Sequence, residues 1–466
     1  MADNQVVFDV AVIGGGVVGC AVARRFALDG ARVVIMERGP DILSGASKAN
    51  SAILHTGFDA PPDSIELACM QSGYREYLEI REQLNLPLLE TGAMVVAWTP
   101  EEASRLEEIE AQAHANGVDD VVPMTAAQAR TREPALSGDI IAALLVPGEH
   151  VIDPWSAPLA YLTQAVANGA EARFDAEIDS GDFDGEIWTL RFGGGAIRSR
   201  LVVNCAGLRG DLLDRQLLGS ASFSIRPRKG QFLVFDKSAA ALLHTIVLPV
   251  PDDRTKGVVL TRTAFGNLLV GPTAEDQDDR DRASVDRQTL KMLHAKAAAM
   301  VPALRDMPVT AAYAGLRPAS ERKEYRITAH VAQRWVTVGG IRSTGLTAAL
   351  GIASHVSSLC TPMLPSGLVA IPSPHWPRMP NLAEHVERDW HRQDHGEVVC
   401  HCELVTKREI EAALAGPLPA RDIGGLKRRT RACMGQCQGF YCQARVATIA
   451  AGRLAVPIAV EHTHGR

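Results

Sequence analysis

The residues best suited to redox chemistry stand near the two ends of this chain. Toward its C-terminal end, Cys400-His401-Cys402 is followed by Cys433-Met434-Gly435-Gln436-Cys437-Gln438-Gly439-Phe440-Tyr441-Cys442, so five of the nine cysteines lie after residue 399. Thiolate sulfur is the soft ligand that holds iron–sulfur clusters or zinc, and two short-spaced sets joined by a turn can close on one centre. Near the other end, Ile13-Gly14-Gly15-Gly16-Val17-Val18-Gly19 follows an apolar strand and reads as a dinucleotide fingerprint. Its spaced glycines, Gly14, Gly16 and Gly19, serve a tight turn, close backbone approach to pyrophosphate, and close helix–strand packing. Glu37 ends the next strand, where a carboxylate accepts ribose hydroxyls and repels a 2′-phosphate. The fingerprint alone fits NAD and FAD. A dinucleotide site and a thiolate centre on one chain point to electron transfer.

The elements that must position these groups are legible in outline. Residues 9–13 are predicted as a strand, 17–29 as a helix and 32–36 as a second strand, a βαβ unit whose parallel strands need the crossover helix. Asp153 as N-cap and Pro154 at the first helical position open a helix toward Asn168. Segments 172–178, 186–192 and 196–204 read as strands, the last leaving through Asn204-Cys205-Ala206-Gly207. Residues 335–338 form another strand before Gly339-Gly340, and an alanine-rich helix is predicted over 346–356. Between these pieces, 101–116 and 282–300 read as helices, while 258–262 and 268–270 read as a hairpin. These belong to a second, antiparallel-sheet domain. Six prolines between Thr361 and Pro380 mark a stiff linker. The expected division is a discontinuous Rossmann-like α/β domain (1–83, 151–210, 331–360), a cap or substrate domain (84–150, 211–330), a linker (361–396) and a small cysteine module (397–455).

Composition suits this plan. A chain of 466 residues is too long for one core. Hydrophobic content of 46% and charged content of 22% are those of a folded globular protein. The formal charge of −6 gives no reason to expect nucleic-acid binding. No run approaches the about 18 apolar residues that span a bilayer, so no direct membrane anchor is expected. Met1-Ala2-Asp3-Asn4-Gln5 carries no basic residue, and no cleaved leader is expected. Clustered cysteines then imply a reducing compartment, read as cytoplasmic.

The segments Gly14 to Gly19 with Glu37, Gly45-Ala46-Ser47-Lys48-Ala49-Asn50-Ser51-Ala52-Ile53-Leu54-His55-Thr56-Gly57, Asn204 to Gly207, Gly315-Leu316-Arg317-Pro318 and Gly339 to Thr347 together resemble the FAD flavoproteins of the D-amino-acid-oxidase-like superfamily. The resemblance spans roughly residues 8–358. Val399 to Glu403 with Arg428 to Gly439 resembles the bacterioferritin-associated-ferredoxin-like [2Fe–2S] module. That module follows the flavin domain in the catalytic subunit of anaerobic glycerol-3-phosphate dehydrogenase and its relatives, and heteromeric amino-acid and imino-acid dehydrogenases carry similar ones.

The resemblance implies FAD held by Gly14, Gly16, Gly19, Glu37, Asn50, Ser51, Gly207, Gly339, Gly345, Leu346 and Thr347. It implies a [2Fe–2S] cluster on Cys400, Cys402, Cys437 and Cys442, with zinc as the alternative. Cys433 stands where relatives carry glycine, either as a spectator or in place of a ligand. Lys427, Arg428, Arg429 and Arg431 either offset cluster charge, dock an acidic partner, or form a solvated helix face. His55 lies where relatives run beside the flavin ring, as a base or as a hydrogen-bonded bystander. Arg317 is shaped to grip a carboxylate or phosphate. The helix opening at Leu346-Thr347 offers positive dipole to a reduced flavin. The expected enzyme is an FAD-dependent dehydrogenase of a small anionic CH–OH substrate, glycerol 3-phosphate-like or a 2-hydroxy acid. It would pass electrons through the cluster to a carrier, partner subunit or quinone. The rivals are an amine or imino-acid dehydrogenase and a redox sensor or electron-transfer protein without its own substrate.

Overall fold

The computed structural model describes residues 6–251 and 257–458. The segment Met1 to Gln5, on which the no-leader expectation rests, lies outside them. The N-terminal βαβ unit is β1 (Val7–Ile13), α1 (Val17–Leu28) and β2 (Val33–Met36). Further along come β3 (Ile53–Leu54), α2 (Ile65–Leu84), β4 (Gly195–Asn204), β5 (Ile225–Phe235), β6 (Val309–Ser320), β7 (Trp335–Gly339), α3 (Gly345–Cys360) and α4 (Ile423–Thr430).

β1 lies at the centre of an eight-stranded sheet, parallel to both β2 and β4, with Val10 opposite Leu201 and Ile13 opposite Asn204. Helices cover a parallel sheet, so its strands read as unbroken apolar runs, and Val10, Ala11 and Val12 are fully buried. β7 extends the sheet in parallel beyond β4. Two glycines let α2 and α3 touch backbone to backbone: a Cβ at Gly73 would overlap the Thr347 carbonyl, and one at Gly351 the Cys69 carbonyl. That contact fixes where α3 starts.

A nine-stranded sheet of mainly antiparallel pairs forms the second layer, drawn from 93–146 and 225–320. Long strands β5 and β6 pair antiparallel, with Lys229 opposite Leu316 and Gly230 opposite Gly315. The predicted hairpin is present, Val259–Arg262 against Leu268–Gly271.

Several predicted elements change. The strand expected over 172–178 is two, Glu171–Arg173 and Ile178–Phe183, because the chain turns at Asp175, whose φ is +53°. The helix expected over 282–300 begins at Arg287, capped by Asp286, whose carboxylate accepts the Thr289 N–H at 2.8 Å. The helix over 101–116 breaks at Arg105 into Pro100–Ser104 and Leu106–Ala115. Arg326–His330, placed with the cap by sequence, pairs antiparallel with β7 and joins the eight-stranded sheet, since only a short turn at 331–334 separates them.

The proline-rich stretch is a strap laid along the first domain. Ile371 N–H donates to Leu28 O, Met379 N–H to Leu84 O, and Glu384 N–H to Ala264 O in the cap, each at 2.9 Å. The Arg24 guanidinium lies 5.8 Å from the Trp376 ring centre. Proline's fixed φ and missing N–H suit a chain that hydrogen-bonds at only a few points. Beyond it, Val398–Cys400 pairs with Val405–Thr406, and three short helices close over Val399, Val405, Ile410, Leu426 and Val446.

Candidate active site and iron–sulfur centre

A cavity of about 310 Å³ opens where β1, β4 and β7 end, beneath β5 and β6 of the cap. Ligands of open α/β sheets bind at such carboxyl ends. Gly14 makes the turn out of β1 with φ at +110°, and a Cβ there would stand 2.5 Å from the Cys205 carbonyl oxygen. Only glycine adopts that turn without strain. α1 begins at Gly16 with no side-chain cap. Gly16, Val17 and Val18 line the cavity; the Val17 N–H donates to the Ser47 hydroxyl at 3.0 Å, and the rest of the first turn offers a cradle for pyrophosphate. Gly19 lies behind that wall, where a Cβ would overlap the Gly14 carbonyl; it serves packing and does not line the cavity.

Glu37 is nearly buried at the cavity edge, accepting Gly15 N–H at 2.6 Å and Gly39 N–H at 2.8 Å. Burial pushes its carboxyl above the ordinary value, against the pull of those two N–H groups. Each oxygen keeps a lone pair for a ribose hydroxyl. The Asn50 side chain holds its own loop, accepting Ala52 N–H at 2.8 Å and donating to Ser47 O at 3.3 Å. Tyr313 of β6 donates to Asn50 O at 2.9 Å, tying loop to cap. Asn50, Ser51, Gly207, Gly339, Gly345 and Leu346 all line the cavity. α3 likewise starts uncapped, presenting its positive end there. A narrow cradle, two uncapped helix ends and a buried ribose carboxylate fit FAD.

Thr347 does not line the cavity. Its hydroxyl donates toward Ile53 O at 3.4 Å and accepts the His55 N–H at 3.0 Å, clamping β3. His55, at the end of β3, is likewise outside the cavity wall, with its side chain 18% exposed. Its Nδ1 lies 2.7 Å from Glu149 Oε2. Glu149 is fully buried, and its other oxygen accepts the Thr56 N–H at 2.6 Å and the Thr56 hydroxyl at 2.9 Å. A carboxylate so fixed holds the proton on Nδ1 and leaves Nε2 as the basic nitrogen, the logic of a histidine–carboxylate pair. Sequence reasoning missed Glu149. The one signal was a lone carboxylate inside the apolar stretch 142–152.

Arg317 of β6 lines the cavity, its Nη2 donating to Thr273 O at 2.5 Å and Lys229 O at 3.3 Å. Burial, and then Arg228 and Arg342, push its guanidinium down to about 10. The Nε groups of Arg317 and Arg342 are buried with no hydrogen-bond partner among the described residues. Such donors suit an anion.

In the C-terminal module, side chains of Cys402 and Cys437 contact each other, as do those of Cys400 and Cys442. Among the described residues, no three or more His, Cys, Asp or Glu side chains are set to hold a single ion. Two facing pairs of thiols suit a diiron cluster, which is held by four cysteines. The Cys437 thiol is held below its ordinary value, first by the Tyr441 N–H; burial pushes Cys442 up to about 11. Phe440 and Tyr441, between them, stand 83% and 79% exposed. Cys433 is buried with its Sγ 3.5 Å from that of Cys442.

The basic run before Cys433 turns inward. Arg429, on α4, makes two 2.9 Å bonds to the fully buried Asp41, in the loop after β2, and Arg428 donates to Ile42 O at 2.9 Å. Arg431 donates to Glu403 at 2.8 Å and lies 4.0 Å over the Phe265 ring, itself stacked 5.3 Å from Trp155. Trp155 in turn donates to Lys48 O, in the loop that borders the cavity. Burial would raise the Glu403 carboxyl, but Arg431 and Lys237 outweigh it and hold it low. Arg428 and Arg429, with Arg431 over Phe265, tie the module to the rest of its chain, so for these three the expectation of a solvated face or a site for an acidic partner is corrected.

Residues 9–359 match the family described as FAD dependent oxidoreductase, and residues 398–451 match the BFD-like [2Fe-2S] binding domain. The chain is 31% identical to a glycerol 3-phosphate dehydrogenase of Caloramator mitchellensis, covering 98% of this chain and 97% of that one. It is 27% identical over 57% of its length, and 63% of the other's, to the mitochondrial L-2-hydroxyglutarate dehydrogenase of Caenorhabditis elegans. Among solved structures, the dithionite-reduced L-alpha-glycerophosphate oxidase of Mycoplasma pneumoniae with FAD bound superposes with a TM-score of 0.75 at 25% identity. That match covers 81% of this chain and all of the other. No helix among the described residues is long and apolar enough to cross a membrane. The chain belongs to the FAD-dependent oxidoreductases and joins that flavin enzyme to a C-terminal [2Fe–2S] domain.

Proposed function

We propose that the chain is a dehydrogenase of glycerol 3-phosphate or a close anionic CH–OH compound, handing electrons onward through its cluster. The observation that carries this reading is the buried, unpartnered guanidinium Nε donors of Arg317 and Arg342, with that of Arg209 a third on the wall, in a cavity bordered by uncapped helix starts. A phosphate or carboxylate would satisfy the first two donors, and Arg317 is the residue we assign to the grip. His55, oriented by Glu149, would take the hydroxyl proton at Nε2 as the carbinol carbon is oxidised. Bound FAD supplies the two-electron acceptor. The names of the Caloramator and Mycoplasma relatives support the substrate class, and the L-2-hydroxyglutarate relative supports a 2-hydroxy acid as the nearest variant.

For the exit, the exposed Phe440 and Tyr441 beside Cys437 offer a docking edge to a partner subunit or carrier, with quinone reached through it. Nine free cysteines support a cytoplasmic location for this enzyme. The test is anaerobic mixing of purified protein with glycerol 3-phosphate, L-2-hydroxyglutarate, proline and sarcosine, following the flavin absorbance. Bleaching by glycerol 3-phosphate supports the reading; bleaching by an amine alone, or by none of the four, overturns it.

A further inference from the structure

The cluster module holds one thiol more than a [2Fe–2S] centre needs. Cys433 is buried, and its Sγ lies 3.5 Å from that of Cys442. Its backbone N–H points at the Cys400 and Cys442 sulfurs. Gly439, at φ +90°, leaves the room it fills: a Cβ there would come within 3.1 Å of the Cys433 Cβ and 3.4 Å of its Sγ. Cys433 itself sits at φ +64°, a left-handed conformation that penalises any side chain. A strained, non-glycine backbone that delivers a third thiol to one side of a metal cage invites a functional reading. The Cys402 and Cys437 side has no such neighbour, since the other four cysteines, Cys20, Cys69, Cys205 and Cys360, belong to the flavin domain.

We propose that Cys433 is a reserve iron ligand, able to take the coordination position of Cys442. The exchange is redox-neutral. The iron–sulfur bond to Cys442 breaks, one to Cys433 forms, and the proton released by the Cys433 thiol passes to the Cys442 thiolate. No oxidant or reductant is consumed. The inference rests on the [2Fe–2S] reading of the module, and it makes the two sides of the cage unequal. Loss of Cys442 is tolerated, and loss of Cys402 or Cys437 is not.

The test uses the full-length flavoprotein, with iron and acid-labile sulfide content, visible absorption and the electron paramagnetic resonance of the dithionite-reduced protein as readouts. Flavin content reports folding of each variant. Cys433→Ala is expected to keep a wild-type cluster. Cys442→Ala is expected to keep iron and sulfide through Cys433, whereas Cys402→Ala, Cys437→Ala and the double variant Cys442→Ala/Cys433→Ala lose them. Cys442→Ser, close to cysteine in volume, guards against a packing defect. It is expected to show an all-sulfur spectrum like the wild type, and Cys442→Ser/Cys433→Ala a shifted or absent one. The proposal is overturned if Cys442→Ala is as iron-poor as Cys402→Ala while its flavin is intact. It is equally overturned if the two Cys442→Ser proteins have the same spectrum. An iron-free wild type would instead remove the [2Fe–2S] reading itself.

Discussion

Glu149→Gln tests the carboxylate that we assign to orienting His55, the proposed base. The side chain keeps its shape and one acceptor oxygen for Thr56, so Thr56 and the His55 ring stay in place. What disappears is the negative charge 2.7 Å from Nδ1, and the amide NH2 now facing Nδ1 donates to it, which moves the ring proton to Nε2. Between charge centres about 4 Å apart, at an effective dielectric near 20, that interaction is worth about 4 kcal/mol. Water reaching the partly exposed imidazole trims it to roughly 3 kcal/mol. At about 1.4 kcal/mol per decade, the lost charge alone lowers the rate of substrate oxidation on the order of 10²-fold, and the wrong tautomer adds to that loss. Anaerobic stopped-flow bleaching of the flavin by glycerol 3-phosphate reads this directly, and the substrate concentration at half-maximal rate should barely move. His55→Asn should lose at least as much, and the double variant no more than His55→Asn alone, because the pair acts as one unit. A Glu149→Gln rate within about threefold of wild type, or additive losses in the double variant, would refute the reasoning.

Arg317→Ala removes the assigned anion grip. A charge-assisted contact is worth about 1.5–3 kcal/mol, so KM for glycerol 3-phosphate should rise on the order of 10- to 100-fold, with a smaller change in kcat. Steady-state kinetics with an artificial acceptor separates the two. Asp41→Asn leaves Arg429 buried beside a neutral amide, an imbalance costing about 3–5 kcal/mol, and should release the cluster module from the flavin domain. Limited proteolysis across 361–396 should quicken in that variant and be unchanged in Arg445→Ala, whose ion pair with Glu397 is exposed. Glu403 is held below the ordinary carboxyl value of 4.5, so its stabilising contribution is present above that pH and is lost as pH falls through its lower folded value. Protection of the module's amides, as exchange relative to the intrinsic rate at each pH, should fall on acidification below 4.5, and Glu403→Gln should flatten that acid limb.

What could be read from the sequence was chemistry fixed at short spacing. The turn at Gly14, the strand-end carboxylate Glu37 and the paired cysteines are local patterns in which residue type and separation are set by the group to be bound. The parallel and antiparallel sheets also followed, because a buried parallel strand and a hairpin have distinct apolar patterns. The illegible part was pairing across long separations. Glu149 meets His55, Asp41 meets Arg429, and Glu403 meets Arg431 only once the fold brings them together. Within the basic run, Arg429 and Arg431 look solvated until their carboxylate partners are known. The split at Asp175 was hidden for a similar reason: its left-handed turn is held by a hydrogen bond to Gly39 O, far away in the chain. Gly19 and Thr347 show the opposite limit. Their motifs are right, yet both lie behind the cavity wall as packing and clamping residues.

The central claim is that one substrate's electrons pass through both centres of this chain. The direct measurement is anaerobic addition of glycerol 3-phosphate to the purified protein, with absorbance and electron paramagnetic resonance recorded on the same sample. The account predicts flavin bleaching together with the signal of a reduced [2Fe–2S] cluster, and no cluster signal without substrate. Bleaching that leaves the cluster oxidised at every substrate concentration would contradict it.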